Sequence, residues 1–396
     1  MCSILGGTKF DDFALNIYLK AKDRGRDFTG LVQKGESWIA NHRATPTNEN
    51  ENPIQNQPFG KSFKIVHNGT IANDLELGNK VGDIDSKVLE DVIIPDNVKT
   101  VKESLKKIKG SFAIAILKDC GEIILACNYK PLFYVENNGE IYFSSLKRHL
   151  SPLALRVEPY SIISLKTKES ELIDRYQPNK AIVVCSGGLD STALTGFVNK
   201  EHEEMKLVHF SYGCKAEKKE LEAIKKIANF YNCEYEVLKI DYTKFKGDCT
   251  LFKGEKISSG IQGVEYALDW VYARNLVMLS ISTAYAEANG FGYIYLGNNL
   301  EESGAYPDNE EQFIIDFNEL LWGAVNNGYK IEVKSPLGGL MKKEIVDFGL
   351  KHNSPIQMSW SCYNNEEKHC GVCAPCFMRK KAFKRSKKTD LTSYKK

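Results

Sequence analysis

Short, mostly apolar runs of residues that favour β-structure, several of them bounded by Asn or Gly, recur in the first half of the chain, which is typical of β-strands. The strands predicted in this way cover residues 62–66, 112–117, 122–126 and 140–143. A period near 3.6 residues over 85–93 and 101–108 predicts helices. The mixture predicts an α+β or sandwich-like first domain.

The pattern changes at about residue 180. Apolar runs at 181–185, 206–210 and 235–240 alternate with helical periodicity at 191–200 and 216–231. This βαβαβ order predicts an α/β domain, a parallel sheet with helices on its faces. We place the boundary in the segment 175–179 and predict two domains, residues 1–176 and 177–396.

The composition narrows the class of protein. The chain has 396 residues, 42% of them hydrophobic and 26% charged, which fits two globular domains. No apolar run approaches the about 20 residues of a membrane span, and no leader pattern is visible, so we expect a cytoplasmic protein that does not contact the membrane. The net charge of +2 provides no general attraction to nucleic acid. Lysine and arginine are concentrated in residues 379–396, where we favour a solvated tail over a phosphate-binding arm.

Eleven cysteines in a chain without a visible leader argue against a disulfide scaffold. Four of them have the spacing C-x7-C-x2-C-x2-C, and they are Cys362, Cys370, Cys373 and Cys376. Four thiolates at such spacings satisfy tetrahedral zinc and leave no position open, so the sequence predicts a structural zinc site.

Cys2 directly follows the initiator methionine. Removal of Met1 would leave a free α-amino group beside the thiol, and such an amine has an unperturbed pKa of about 8. One residue would then provide both the nucleophile and its base.

The segments 41–47, 56–59 and 66–73 resemble the class II glutamine amidotransferases in order and spacing, and 25–30, 85–86, 128–134 and 143–145 extend the match. The resemblance implies an N-terminal-nucleophile hydrolase fold in which Cys2 attacks the glutamine amide. It implies that Arg43 binds the glutamine carboxylate, that Asn68 and the Gly69 N–H form the oxyanion hole, and that Asp85 holds the ammonium. We interpret His42 and His67 as structural neighbours. A degenerate domain without activity is the alternative.

A glycine-rich segment, 186–192, lies between a predicted strand and a predicted helix, where backbone N–H groups can surround phosphate. It is not a Walker motif, because no Lys-Ser/Thr pair follows. It resembles the pyrophosphate loop of the ATP pyrophosphatases, of adenine nucleotide α-hydrolase-like fold. The resemblance implies ATP contacts from Ser186, Gly187, Gly188, Asp190, Ser191 and Thr192, with Asp190 as a magnesium ligand.

The loop and the cysteines together resemble 7-cyano-7-deazaguanine synthase over residues 180–383, with further matches at 210–213, 272–275, 303–308, 335–337, 343–345 and 359–362. The zinc cluster distinguishes this family from asparagine synthetase. The resemblance implies that Arg274, Tyr306 and Asp308 hold the deazaguanine. The chain departs from the family at 214–216, which read Cys-Lys-Ala instead of Gln-Arg-His, at an inserted Ala305, and at 309–310, which read Asn-Glu instead of Cys-Arg.

These resemblances predict a glutamine-dependent, ATP-using C–N ligase of 7-deazaguanine chemistry that carries ammonia through an internal channel. The acceptor is a free 7-carboxy-7-deazaguanine, or a 7-cyano-7-deazaguanine nucleotide in tRNA or DNA. The alternative is an antiviral-defence ligase that joins the activated deazaguanine to the N-terminal amine of a partner protein, for which glutamine would be superfluous. A homodimer is compatible with the sequence.

Overall fold

The computed structural model of the protein describes residues 2–44, 57–80, 83–242, 249, 251–252, 257, 259–260 and 269–395. The chain divides into two units, Met1–Arg175 and Tyr176–Lys396. Among the described helices, none combines the length and the hydropathy needed to cross a bilayer.

The first unit is built on two antiparallel sheets. Its strands are β1 (Ser3–Gly7), β2 (Phe28–Lys34), β3 (Ser37–Arg43), β4 (Phe63–Ile71), β5 (Gly110–Lys118), β6 (Ile123–Cys127), β7 (Phe133–Asn137), β8 (Glu140–Ser144), β9 (Leu155–Arg156), β10 (Ser161–Ser164) and β11 (Ser170–Leu172). One sheet has the order β2-β3-β1-β8-β7-β9 and the other has the order β11-β10-β6-β5-β4.

Short helices accompany these sheets. They are α1 (Asp12–Lys20), α2 (Leu89–Val92), α3 (Val98–Leu105) and α4 (Lys147–Leu150), with 3-10 turns at Ala21–Arg24 and Asp85–Val88. Where the sequence predicts one helix over 85–93, the structure has a 3-10 turn followed by the single turn of α2.

Side-chain alternation explains the layering of this unit. Ile4 and Val66 share one buried cluster, so the inner faces of the two sheets pack against each other. The neighbouring Leu5 packs with α1 on the outer face of the first sheet, and Ile65 packs with α3 on the outer face of the second. The result is four layers in the order helix, sheet, sheet, helix.

The second unit contains a parallel sheet, as predicted. Its strands are β12 (Lys180–Val184), β13 (Glu204–Ser211), β14 (Tyr235–Lys239), β15 (Tyr293–Tyr295) and β16 (Glu332–Lys334), in the spatial order β14-β13-β12-β15-β16. Its helices are α5 (Leu189–Glu201), α6 (Glu217–Tyr231), α7 (Arg274–Asn289), α8 (Leu300–Ser303), α9 (Glu311–Ala324), α10 (Lys342–Lys351) and α11 (Ala374–Ser386), with 3-10 turns at Pro307–Asn309 and Ile356–Met358.

Helices cover both faces of this sheet. Val183 packs with residues of α5, α6, α10 and α11, while the adjacent Ile182 packs with residues of α7 and α9. Strands buried on both faces are continuously apolar, and this explains why the apolar runs mark them in the sequence.

The C-terminal segment is not the solvated tail that the charge pattern predicts. Residues up to 386 belong to α11, and the chain then returns so that the Lys395 N–H donates to the His369 carbonyl. Lys384 and Arg385 remain exposed on the helix, but Arg379 is buried. Helix periodicity, which places Ala382 and Phe383 in the core, therefore outweighs the local charge.

Candidate active sites

The first candidate site begins at one end of the β1–β3 pair. Ser3 is paired with His42 in the antiparallel register, so Cys2 and Arg43 follow at the same end of the two strands. Arg43 is buried, and its guanidinium lies 6.0 Å from the centre of the Phe28 ring. Cys2 is half-buried and interacts electrostatically with Arg24, a cation that sequence analysis did not single out.

Strand β4 carries the two predicted oxyanion donors. Asn68 is 2% exposed, and its side-chain Nδ2 has no hydrogen-bond partner among the described residues. Gly69 follows it, and a Cβ at this position would overlap the carbonyl oxygen of Ser111 on β5. Only glycine therefore fits this close approach of the two strands. The amide of Asn68 is left as a buried donor beside it.

Asp85 is fixed against the end of the same strand. Its Oδ2 accepts a hydrogen bond from the Ile71 N–H at 2.6 Å. Its Oδ1 accepts from the N–H of Ser86 at 2.7 Å and from the Ser86 hydroxyl at 3.2 Å. These bonds orient the carboxylate next to the strand that carries Asn68 and Gly69.

The two histidines near these residues have both ring nitrogens engaged. His42 contacts the Thr29 hydroxyl at 3.1 Å and the Tyr18 carbonyl at 2.9 Å. His67 contacts the Ser86 hydroxyl at 2.7 Å and the Ser111 carbonyl at 3.2 Å. Burial lowers the pKa of both imidazoles, so both are neutral. Such rings position the strands and have no nitrogen left for acid–base work.

The glycine-rich loop of the second unit connects β12 to α5. Gly187 has φ +75°, and a Cβ there would lie 2.8 Å from the Glu220 carbonyl oxygen. Gly188 is the N-cap of α5, and its carbonyl accepts a hydrogen bond from the Thr192 hydroxyl at 2.6 Å. The loop therefore presents the amino end of a 13-residue helix, where N–H groups and the helix dipole favour phosphate.

A buried ion network lies at the start of this helix. The Lys342 ammonium contacts Asp190 Oδ2 directly and lies 2.7 Å from Glu302 Oε1. Asn299 also donates to Asp190 Oδ2, at 3.3 Å. Burial favours the neutral amine, but the two carboxylates outweigh it and raise the pKa of Lys342, so the ammonium is retained.

The same network has an incomplete carboxylate. Asp190 Oδ1 is buried and has no hydrogen-bond partner within the described part of the chain, and burial raises the pKa of this carboxyl. Burial also disfavours the charge of Glu302, but Lys342 outweighs it and holds the pKa of Glu302 below its usual range. A free carboxylate oxygen next to a second carboxylate suits a magnesium ion carried by nucleotide phosphates. These residues therefore fit the predicted magnesium ligand set, with Glu302 added to Asp190.

A cavity of about 250 Å³ opens from the loop. Arg274, the first residue of α7, lines it and donates to the Tyr212 hydroxyl at 3.4 Å. Tyr306 lines it as well, and its ring is stacked on Trp270 with 5.9 Å between centroids and 21° between planes. The structure thus brings Arg274 and Tyr306 together with the loop residues Ser186, Gly188, Asp190 and Ser191.

Asp308, the third residue predicted to hold the deazaguanine, does not line the cavity as Arg274 and Tyr306 do. Its carboxylate accepts a hydrogen bond from the Asn275 N–H at 3.4 Å, and its carbonyl accepts from Asn298 at 3.0 Å. Asp308 is not one of the described residues that line the cavity, whereas its neighbour Asn309 is. Asp308 therefore bonds to the first turn of α7 through Asn275.

Further side chains that were not identified as site residues from the sequence also line the cavity, among them His209, Glu220 and Trp360. His209 is 1% exposed and donates from Nδ1 to the Cys185 carbonyl at 3.1 Å. Its Nε2 is buried and has no partner among the described residues, which leaves it as an acceptor. Burial lowers the pKa of this imidazole. A histidine inside an apolar strand gives no motif by which it could be found.

The four cysteines of the C-x7-C-x2-C-x2-C motif form one cluster. Their Sγ atoms all lie within 4.8 Å of one another, and those of Cys362 and Cys373 are 4.0 Å apart. A zinc ion bound at about 2.3 Å from each sulfur would place the sulfurs about 3.8 Å apart. Backbone N–H groups of Asn364 and Cys370 also donate to Cys362 Sγ, at 3.4 and 3.3 Å. The donor set fits a single metal ion held by four thiolates.

The cysteine cluster is connected to the glycine-rich loop through Trp360. The Trp360 ring packs on His369 with 4.1 Å between centroids, and the Trp360 N–H donates to the Gly187 carbonyl at 2.7 Å. Burial lowers the pKa of His369 to about 4, and its Nε2 accepts from the Ser361 N–H at 3.0 Å. A neutral histidine and a tryptophan therefore bridge the cluster to the loop.

Arg379 closes the far side of this region. Its guanidinium is 1% exposed and bonds to Asp390 at 3.2 Å and to the Ser359 hydroxyl at 2.6 Å. The pairing of a buried arginine with a carboxylate, supported by further hydrogen bonds, avoids the cost of an unpaired buried charge.

Together these features define a class of protein with two units, each of which has its own candidate active site. One carries the residues expected of a glutamine amidotransferase, and the other carries a glycine-rich loop between a parallel strand and a helix, together with a four-cysteine cluster. Residues 42–152 match the family model described as glutamine amidotransferase domain, and residues 180–387 match the model described as queuosine biosynthesis protein QueC.

The chain belongs to the 7-cyano-7-deazaguanine synthase family. The 7-cyano-7-deazaguanine synthase of Sulfolobus acidocaldarius is 38% identical, over 96% of this chain and 94% of its own length. The 7-cyano-7-deazaguanine synthase 2 of Sulfurisphaera tokodaii is 36% identical, over 100% of both chains. The chain is thus an enzyme of the ATP-dependent C–N ligase type.

The similarity to solved structures is weaker. The U34-tRNA thiolase NcsA from Methanococcus maripaludis, solved with its 4Fe-4S cluster, has a TM-score of 0.31 and 12% identity, over 53% of this chain and 65% of that chain. Similarity at this level does not bear on the function of the chain.

Proposed function

We propose that the protein converts 7-carboxy-7-deazaguanine to the nitrile 7-cyano-7-deazaguanine, using two ATP-dependent steps and ammonia released from glutamine by its own first unit. The observation that carries this proposal is that relatives bearing the name 7-cyano-7-deazaguanine synthase match the chain over both units and nearly their full length. ATP, glutamine and reduced thiolates are all typical of the cytoplasm, where we place the protein.

In the first unit, Cys2 is the nucleophile that attacks the glutamine amide after removal of Met1. The freed amine takes the thiol proton and returns it to the leaving ammonia. Asn68 Nδ2 and the Gly69 N–H receive the oxyanion, and the absence of a protein partner for Nδ2 among the described residues supports this role. Arg43 and Asp85 bind the glutamine carboxylate and ammonium. The four-layer arrangement supports an N-terminal-nucleophile hydrolase fold.

In the second unit, the loop 186–192 binds the ATP phosphates, and Asp190 with Glu302 would hold magnesium, which neutralises phosphate charge when bound. A carboxylate oxygen of the acceptor attacks the α-phosphorus, and pyrophosphate leaves. Ammonia then forms the C–N bond and AMP leaves. The amide oxygen then attacks the α-phosphorus of the second ATP and pyrophosphate leaves; the nitrogen loses its two protons and AMP departs with the oxygen, which gives the nitrile.

The cavity supports an acceptor that is a planar acid. Arg274 provides a cation for a carboxylate, and the stacked pair Tyr306 and Trp270 provides an aromatic surface for a fused ring. The four cysteines hold a structural zinc ion in this proposal. By fixing Trp360 against the Gly187 carbonyl, the zinc cluster keeps the phosphate loop in its binding conformation.

The proposal is tested with purified protein, ATP, magnesium, glutamine and 7-carboxy-7-deazaguanine, following glutamate, AMP and the deazaguanine products by mass spectrometry. Wild type and Cys2→Ala are compared with and without added ammonium, and the N-terminus of the wild type is sequenced. We expect glutamate from the wild type only, and recovery of nitrile formation by Cys2→Ala when ammonium is added.

Two outcomes would redirect the proposal. Formation of AMP without glutamate, unaffected by Cys2→Ala, would exclude the glutaminase. Absence of product from the free acid would exclude it as the acceptor. Nucleic acid containing 7-cyano-7-deazaguanine and a protein with a free N-terminal amine are the acceptors to test in that event.

A further inference from the structure

We propose that Glu220 is the catalytic base of the second unit, the group that accepts the proton which ammonia loses as it forms the new C–N bond. This inference rests on the proposed function, because it concerns the amide-forming step of that reaction. It assigns a role to a residue outside the glycine-rich loop and the cysteine cluster.

The position of Glu220 follows from the helix that carries it. Ala223, Ile224 and Ile227 are the buried face of α6, and Glu220 lies one turn before them on that same face. The side chain is therefore directed toward the carboxyl edge of the parallel sheet, where it lines the cavity. Its own carbonyl faces Gly187 so closely that only glycine fits there. The backbone of Glu220 thus lies next to the phosphate loop, and Glu220 lines the same cavity as the loop residues.

A base is required by the chemistry of this step. When the ammonia lone pair bonds to the carbonyl carbon of the acyl adenylate, the nitrogen becomes positively charged. Loss of one proton from that nitrogen must precede or accompany cleavage of the bond from carbon to the phosphate oxygen, because otherwise ammonia leaves again. The proton moves to the Glu220 carboxylate, AMP departs with the electron pair of the broken bond, and the amide remains.

The other carboxyl groups that line the cavity are less suited to this role. Asp190 and Glu302 both bind the Lys342 ammonium and would hold the magnesium ion, so neither carboxylate is available to take the proton from ammonia. Asp269 is the remaining carboxyl group among the described lining residues. It serves as the direct comparison in the experiment.

The groups facing Glu220 come from every element around it. They are Cys214 and Tyr212 after β13, Glu217 on α6, Arg274 on α7 and Cys185 at the end of β12. Its Oε2 accepts from the Cys214 thiol at 3.6 Å, and burial raises the pKa of that thiol, so the thiol stays neutral. Burial likewise raises the pKa of Glu220 to about 7, despite the opposing effects of Cys214 and Arg274. Such a value suits a base that works near neutral pH.

Position 214 is cysteine in this chain, whereas the 7-cyano-7-deazaguanine synthases usually have glutamine there. The hydrogen-bond donor to Glu220 is therefore a thiol, which is a weak donor. A weak donor stabilises the carboxylate less than an amide does. The Cys214 thiol therefore leaves Glu220 more basic than an amide bonded at the same place would.

The test separates adenylation from C–N bond formation. Glu220→Gln, Asp269→Asn and Glu222→Gln are compared in the full-length protein; Glu222 lies on the same helix, pairs with Lys219 and provides the matched control. Adenylation is followed by exchange of labelled pyrophosphate into ATP in the presence of the acid, and amide formation is followed with added ammonium. Hydroxylamine replaces ammonium in a parallel series, because its attack depends less on a base.

We expect Glu220→Gln to keep pyrophosphate exchange within about threefold of wild type and to lower the rate of amide formation by about 100-fold. Hydroxamate formation should stay within about fivefold. The ratio of the wild-type rate to the variant rate should decrease below pH 7, since the wild-type carboxyl is then protonated. Glu222→Gln should match the wild type throughout.

Equal losses of pyrophosphate exchange and amide formation in Glu220→Gln would overturn the proposal, since they indicate a binding or structural role. Loss of amide formation in Asp269→Asn alone would transfer the role to that residue. Failure of the wild type to exchange pyrophosphate would instead count against the proposed function itself. If Glu220→Gln does not fold, Glu220→Asp provides the measurement, with the same expected selectivity for the ammonia step.

Discussion

Asn68→Ala is expected to abolish most glutaminase activity without lowering the stability of the first unit. The side chain is 2% exposed, and its Nδ2 has no partner among the described residues, so a buried donor is already unsatisfied. Its removal relieves about 1–3 kcal/mol of desolvation cost. The packing lost by truncation costs a similar amount, of the order of 1 kcal/mol. The two effects roughly cancel in the free energy of unfolding.

The effect on catalysis has no such compensation. A donor aimed at the developing oxyanion contributes about 2.7–4 kcal/mol, so its loss should lower kcat by about 100- to 1000-fold. Glutamate release from glutamine measures this effect. The ATP-dependent reaction with added ammonium reports on the second unit in the same sample and should be unchanged.

Asn128→Ala is the matched control, because Asn128 is also a buried asparagine of the first unit. Its amide donates to the Gly110 carbonyl at 3.0 Å and accepts from the Phe112 N–H at 3.0 Å. Removal takes one bond from the buried Phe112 N–H and one from the partly buried Gly110 carbonyl, at up to about 1–3 kcal/mol each. For a domain of this size the melting temperature should decrease by roughly 5–15 °C. A similar decrease for Asn68→Ala, or retention of its glutaminase activity, would refute the reasoning.

Three further predictions concern the second unit. Gly187→Ala should weaken ATP binding by at least about tenfold in calorimetry, because φ +75° and the Glu220 carbonyl at 2.8 Å both exclude a Cβ; unchanged affinity would show that the loop can adopt another conformation. Lys342→Met should lower the free energy of unfolding by about 3–5 kcal/mol at pH 8, as it leaves Asp190 and Glu302 unpaired. Lys342 holds the pKa of Glu302 below its usual 4.5, so the stabilisation from this ion pair is present above pH 4.5 and is lost as the pH falls through the pKa of folded Glu302. In denaturant titrations, the difference in unfolding free energy between wild type and Lys342→Met should therefore be smaller at pH 4 than at pH 8. A difference that does not change with pH would contradict this reasoning. Cys376→Ser should reduce bound zinc from one equivalent per chain to near zero by mass spectrometry and lower the melting temperature of the second unit, whereas Cys120→Ser, at an exposed thiol, should change neither.

Much of the second unit could be predicted from the sequence because its strands are buried on both faces. The apolar run at 181–185 corresponds to Lys180–Val184, and the run at 206–210 lies inside Glu204–Ser211. The turn between the first strand and helix contains glycines whose backbone positions have a physical reason. Local pattern and tertiary structure therefore agree in this part of the chain.

The strands β1 and β3 could not be predicted in the same way. Both are buried along their whole length, so hydrophobic alternation is absent, and β3 contains the polar residues Asn41, His42 and Arg43. Buried polar side chains in a strand interrupt the apolar signal. They are present here because they surround the candidate glutaminase site.

Long-range partners account for most of what was missed in the candidate sites. Lys342 contacts Asp190 across 152 positions of sequence, and neither the lysine nor Glu302 belongs to the glycine-rich motif. Glu220 likewise resembles any polar residue in the first turn of a helix. Only the fold shows that it faces the cavity.

The buried polar atoms that lack partners provide the strongest physical link between structure and function. Most buried polar atoms in native proteins are hydrogen-bonded, and each exception costs about 1–3 kcal/mol. Within the described residues, Asn68 Nδ2, Asp190 Oδ1 and His209 Nε2 are such exceptions, while His67 and Asn128, which lie near the same strands as Asn68, are fully engaged. In the proposed reaction, Asn68 Nδ2 would donate to the glutamine oxyanion and Asp190 Oδ1 would bind the metal carried by ATP. His209 Nε2 would accept a hydrogen bond from an N–H or O–H group of a ligand. The proposed substrates would relieve the cost at these three atoms on binding, which would favour substrates whose groups match them.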